Sequence, residues 1–154
     1  MARVALRLDN QFSDVIRQLF EEKDSVTGVS IFPTLADLMV FAAMVGRDKF
    51  DDCSDVKVGA SGREISSDVI QNQGKDGVAY LLALDHNNDG NILREENDKE
   101  MWDYMENYSS LGLEQIHAWL EGKGNLNIDV KDILLEKMKE VAIRDGLHKS
   151  EKGS

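Results

Sequence analysis

Between Leu35 and Val45 the chain reads LADLMVFAAMV, which wound as a helix is apolar on nearly every side. Such a helix has no face to give to water, so the other segments must wrap it. Its start is marked by Pro33 and by Thr34 and Asp37, which have the spacing of a capping box. Gly46 is expected to end it, in the left-handed geometry that glycine tolerates.

The wrapping segments are read from their periodicity. Arg3 to Leu8 alternates Val4, Leu6 and Leu8 against Arg3, Ala5 and Arg7, the pattern of a short half-buried strand. Asp9 or Asn10 then caps a helix whose stripe is Phe12, Val15, Ile16, Leu19 and Phe20. From Arg47 to Arg63 the chain is polar and glycine-bearing, with a brief extended piece at Val56 to Val58. A short helix is expected from Glu64 to Asn72, and an apolar helix from Val78 to Leu84 after the Gly74 to Gly77 break. Met101, Trp102, Met105 and Tyr108 form one stripe, and Leu113, Ile116, Trp119 and Leu120 another, so a helical hairpin breaking at Gly112 is predicted. A turn over Gly122 to Asn127 leads to a last helix through Val130, Ile133, Leu134, Met138 and Val141, closed by Gly146. With one proline in 154 residues, long helices dominate. The expected fold is mainly α: a compact single-domain helical fold over 1–147, with a short N-terminal strand, a small β element and a flexible tail over 148–154.

Charge narrows the function classes. Eighteen Lys and Arg face 29 Asp and Glu, for a net charge of -11, so most of the surface repels a phosphate backbone. The excess is local. Residues 1 to 50 hold 6 basic and 7 acidic side chains, whereas Asp76 to Glu121 holds 11 acidic and 2 basic, a net of -9. Such a helical face is either simply solvated or a docking surface for a basic partner, with Glu95, Glu96, Glu100 and Asp103 as its candidate residues. One cysteine, Cys53, allows no internal disulfide, and no signal region is apparent, so an intracellular, cytoplasmic protein is expected. The longest apolar stretch, Leu38 to Val45, is far short of the roughly 20 residues a membrane crossing needs.

Asp85 to Glu96, DHNNDGNILREE, matches the calcium-loop pattern D-x-N-x-D-G-x5-E. Asp85, Asn87 and Asp89 would give side-chain oxygens, Asn91 its carbonyl and Glu96 a bidentate carboxylate, with Gly90 at the sharp turn. Leu93 replaces the usual polar residue at the ninth position, and no second loop exists to pair with Ile92. An Asn-Asp-Gly turn between helices is the competing reading.

Three stretches resemble the small proteins associated with the bacterial DNA phosphorothioation (Dnd) system: FPTLADLMVFAAMVG (Phe32 to Gly46), GREISSDVI (Gly62 to Ile70, strand-like) and ILREENDKEMWDYMENYSSLGLEQIHAWL (Ile92 to Leu120). Tyr108, Gly112, Leu113, Glu114 and Ile116 carry the last and most specific of them. The resemblance implies an accessory role beside genes that place sulfur in the DNA backbone or restrict DNA lacking it, with protein components of such a complex as partners. It carries over no catalytic residue. It also implies that the 85–96 turn forms without an ion, since the family does not generally carry the full calcium pattern.

Catalytic signatures are thin. His86, His117 and His148 have no ligand spacing, and Asp51 and Asp52 beside Cys53 raise its pKa rather than activate it. No phosphate loop or nucleophile elbow occurs. The reading is therefore a non-enzymatic interaction protein of a DNA-modification or restriction system serving anti-phage defence. Two rivals stand beside it: an EF-hand-like calcium binder, and a dimeric ribbon-helix-helix regulator contacting DNA through Arg3 and Arg7. Direct DNA contact and oligomeric state are left open.

Overall fold

The computed structural model describes residues 3–23, 26–59, 61–123 and 130–152. Its elements are β1 (Ala5–Asp9), α1 (Ser13–Ile16), α2 (Leu35–Lys49), β2 (Gly62–Ser66), α3 (Ser67–Asn72), α4 (Asp76–Asn87), α5 (Asp98–Lys123) and α6 (Val130–Lys152). The architecture is mainly α with one two-stranded sheet. Among the described residues, no helix is long and apolar enough to cross a membrane. The chain divides into two compact units, 1–117 and 118–154.

In the first unit, α2 is the buried helix its composition demands. Leu38, Met39, Ala42 and Ala43 are fully enclosed. Thr34 caps it by accepting the Asp37 N–H at 3.1 Å, as the spacing predicts. Leu6 and Leu8 of β1, Leu19, Ile70, Met101, Trp102, Met105, Tyr108, Leu113 and Ile116 complete the apolar interior. Burying side chains of this size contributes about 1.5 to 3 kcal/mol each.

Two glycines behave differently from the sequence expectation. α2 runs through Gly46 to Lys49, and α5 runs unbroken through Gly112, so the predicted hairpin is one helix. Both glycines are where α2 and α5 touch backbone to backbone. A Cβ on Gly112 would overlap the Ala42 carbonyl; one on Gly46 would overlap the Tyr108 carbonyl and lie 2.9 Å from the Gly112 nitrogen. Ala42 meets Gly112 and Gly46 meets Tyr108, so the helices cross antiparallel in this notch. α2 and α4, by contrast, run parallel. Lys75 meets Asp37 at 3.1 Å where they begin, and Arg47 meets Asp85 at 2.5 Å where they end. Those ion pairs lie ten residues, about 15 Å, apart on each helix.

The sheet also corrects the sequence reading. β1 pairs antiparallel with β2, Leu6 opposite Ile65 and Leu8 opposite Arg63, so the second strand is 62–66 rather than Val56–Val58. The chain turns helical only at Ser67, where the Ser66 hydroxyl accepts the Asp68 N–H and caps α3. The predicted helix after Asp9 is split into three windings: a 3-10 turn at Asn10–Phe12, α1, and a π turn at Arg17–Glu21. Of the two candidate caps it is Asp9 that acts, through the Gln11 N–H.

The second unit carries the end of α5 and α6. It buries Leu120, Ile133 and Leu134 and leaves Leu135 and Ile143 exposed. α6 passes Gly146, an interior glycine costing about 1 kcal/mol without stopping a helix. Of the turn expected over Gly122 to Asn127, Gly122 and Lys123 still belong to α5, while Gly124 to Asn127, and Gly153 and Ser154 of the expected tail, lie outside the described residues.

Candidate functional site

The polar groups of the first unit concentrate where α2 and α4 end against α5. Arg47, in the last turn of α2, binds Asp85 through Nε, the Phe50 carbonyl at 3.3 Å and Asp51 at 3.6 Å. Its guanidinium lies 5.9 Å from the centre of the Tyr108 ring. The Asp85 hydrogen bond raises the Arg47 pKa further, so this cation is permanent.

Tyr108 is fully buried. Its hydroxyl donates to the Asp51 carbonyl at 3.2 Å, and His86 Nδ1 lies 3.2 Å from the same oxygen. With its proton on the Asp51 carbonyl, the Tyr108 oxygen can accept from His86 Nδ1, and the ring places Nε2 4.0 Å from Asp52. The His86 ring packs on Tyr104 with centroids 4.6 Å apart. Cys53 completes the knot, 2% exposed beneath the loop. Burial pushes its thiol up to about 11, Asp52 adding to the shift while Tyr108 and Arg47 oppose it. Burial likewise pushes the Tyr108 phenol up to about 12, with Cys53 next. Both groups therefore stay protonated at neutral pH, and the knot holds the 50–58 loop to the helices without offering a thiolate. Acidic neighbours alone gave the right direction for Cys53, but burial is the larger cause. The knot itself joins three distant stretches of sequence, 47–53, 85–86 and 104–108; its one local sign is the i, i+4 spacing that places Tyr104 and Tyr108 one turn apart on the same side of α5.

The residues of the calcium pattern take separate positions. Asp85 and Asn87 still belong to α4, with Asp85 bound to Arg47. Asn87 donates to the Ala83 carbonyl and accepts from Tyr104. Asn88 turns the chain with φ 54°, and Asp89 caps a 3-10 turn by accepting the Asn91 N–H at 3.0 Å. The Asn91 carbonyl accepts from the Asn97 amide at 2.7 Å. Glu96 is exposed in a second 3-10 turn. Among the described residues, no three His, Cys, Asp or Glu side chains come together as a metal-holding group.

The acidic candidates group at the start of α5. Glu95, Glu96 and Glu100 are exposed, and Asp103 is half-exposed and paired to Lys99 at 3.0 Å. The arginines proposed for DNA lie on the sheet. Arg3 donates to the Ser66 hydroxyl at 3.0 Å, and Arg7 meets Glu64 at 3.5 Å. The Arg7 N–H on the outer edge of β1 donates to Glu106, 2.7 Å away, a carboxyl whose pKa burial raises. A ribbon-helix-helix module pairs its strands between two chains; here the ribbon is made within one.

Comparison with curated proteins and with solved structures gives no match. A family model described as DNA sulphur modification system-associated protein 4 matches residues 5–150, and the resemblance read from Phe32–Gly46, Gly62–Ile70 and Ile92–Leu120 falls inside that span. The chain belongs to the family of DNA sulphur modification system-associated protein 4.

Proposed function

We propose that this protein is a non-enzymatic accessory subunit of a bacterial DNA sulfur-modification or restriction machinery, acting in the cytoplasm in anti-phage defence. It docks onto a basic protein component of that machinery through the acidic surface at the start of α5. The observation that carries this reading is the concentration of charge: a net of -9 between Asp76 and Glu121, with Glu95, Glu96 and Glu100 exposed. Membership of a system-associated family supports a partner inside that system. Complementary charge speeds encounter and suppresses wrong partners more than it deepens affinity. The knot under Tyr108 supports the same reading, because it fixes the end of α4 against α5 and so presents the surface rigidly.

The test is co-purification with the neighbouring gene products of the modification and restriction system. Replacing Glu95, Glu96, Glu100 and Asp103 with Gln or Asn should weaken capture while leaving the melting temperature unchanged. Undiminished capture by the quadruple variant would remove the docking surface from consideration.

A further inference from the structure

The faces that α2 and α4 turn to solvent are bounded at both ends by ion pairs and apolar between them. Asp37 meets Lys75 where the helices begin, and Arg47 meets Asp85 where they end. The offset from α2 to α4 is the same in both pairs, 37 to 75 and 47 to 85, so the two helices run level. Between the pairs stand Val40 and Met44 on α2 and Val78 and Leu81 on α4, each about one turn in from a charged residue. Val40 and Val78 are half-buried, but Met44 is 57% and Leu81 68% exposed. Single exposed apolar side chains need no partner; these are neighbours on one surface.

We propose that this face is the contact surface of a homodimer, in which a second copy of the chain lies on it with its helices reversed. The four charges select that occupant. α2 carries its anion first and its cation last, whereas α4 carries the cation first and the anion last. A two-fold axis across the helices lays α2 on α2 and α4 on α4 in opposite directions. Asp37 then meets Arg47 of the second copy, and Lys75 meets its Asp85. Every charge keeps its partner within the chain and gains one of opposite sign across the interface, while Met44 falls on Val40 of the second copy. A two-fold along the helices would also match the charges, but it aligns all the helix dipoles in one direction; reversal sets them against each other favourably. The contact is isologous, with an apolar centre and a charged rim. Each copy carries a net charge of -11, yet screening over about 8 Å at physiological salt confines that repulsion, and the four charges of this face sum to zero. The apolar centre measures about 15 Å along the helices and about 20 Å across them, or about 300 Å² per copy. A tight complex buries about 800 Å² per side, so dimer and monomer exchange at working concentrations. The inference does not rest on the acidic docking surface at the start of α5.

The test is sedimentation equilibrium of the full chain at physiological salt, from about 10 μM to about 1 mM, with the melting temperature read alongside. Expected is a mass that rises from monomer toward dimer and not beyond, because a two-fold contact closes on itself. Met44→Gln combined with Leu81→Gln should raise the dissociation constant about tenfold or more while the melting temperature stays put, since both side chains are exposed in the monomer. Asp37→Lys combined with Lys75→Asp keeps the pair within the chain, the apolar centre and the net charge. It sets a cation against Arg47 and an anion against Asp85 of the second copy, so this variant should stay monomeric throughout. The two variants alter different parts of the face, and a folding defect in one leaves the other to decide. The proposal is overturned if the parent is still a monomer at the highest concentration, or if either folded variant associates as the parent does.

Discussion

Asp9 does two jobs with one carboxylate: it caps the 3-10 turn through Gln11 and anchors the loop through the Gly59 N–H at 2.9 Å. Burial alone would raise its pKa, yet the hydrogen bonds from Gly59 and Gln11 outweigh it and hold the carboxyl below the usual value. Asp37 is held down likewise by Lys75 and Thr34 against its own burial. Because these folded carboxyls bind protons more weakly than in the unfolded chain, their stabilisation is complete above the unfolded pKa of about 3.9. It is lost as pH falls through the lower folded values. Asp9→Asn should therefore cost about 1 to 3 kcal/mol at pH 7, read from urea midpoints, and the variant should lose less stability than the parent between pH 5 and pH 3. Cys53 has the opposite sign. Its folded pKa is raised to about 11, so the buried thiol favours the fold up to the unfolded value of about 8.5, and that contribution disappears as pH climbs through 11. Native protein at pH 8 should resist a disulfide-exchange reagent that titrates one thiol at once in urea. Prompt labelling of the folded chain would show that the loop does not cover it.

At the scale of elements, the glycine notch separates what periodicity reveals from what it hides. The buried α2, its Thr34 cap and the β1 alternation were legible because each is set by its own residues. Gly46 and Gly112 were read as helix ends because the information that keeps them inside helices lies on the other helix, about 65 residues away. The knot was hidden for the same reason: Arg47, Cys53, His86 and Tyr108 have no common spacing. Gly112→Ala should destabilise by about 3 kcal/mol or more, since the obstacle is the Ala42 backbone and not a side chain that can swing away. Gly77→Ala in α4 has open space around its Cβ and should gain a few tenths up to about 1 kcal/mol. Thermal melts of the pair check both signs, and a stabilising Gly112→Ala would refute the crossing. The 85–96 segment was legible as a turn, but its calcium pattern describes side chains that already serve Arg47, Tyr104 and Asn91. Calorimetry should accordingly be silent at millimolar calcium; micromolar binding abolished by Glu96→Gln would restore the calcium reading.

Across the whole molecule, all of the net charge belongs to one unit. Residues 1–117 hold 22 acidic and 11 basic side chains, and residues 118–154 hold 7 of each. Charge of one sign confined to one folded unit has two consequences that salt moves in opposite directions. Self-repulsion within 1–117 opposes folding, and shortening the screening length from about 14 Å at 50 mM to about 4 Å at 500 mM salt relieves it. The melting temperature should therefore rise across that range. Attraction to a basic partner is screened by the same ions, so its association rate should fall by about tenfold or more while dissociation changes little. Measuring both on one sample distinguishes a docking surface from a merely solvated one. A solvated face predicts the rise in melting temperature alone, whereas a docking face predicts the rise together with the slower association. Neutralising Glu95, Glu96, Glu100 and Asp103 takes the net charge from -11 to -7 and should flatten both salt dependences. If the variant still associates with the parent's salt dependence, the attraction lies on another part of the acidic unit, and the start of α5 is not where the partner docks.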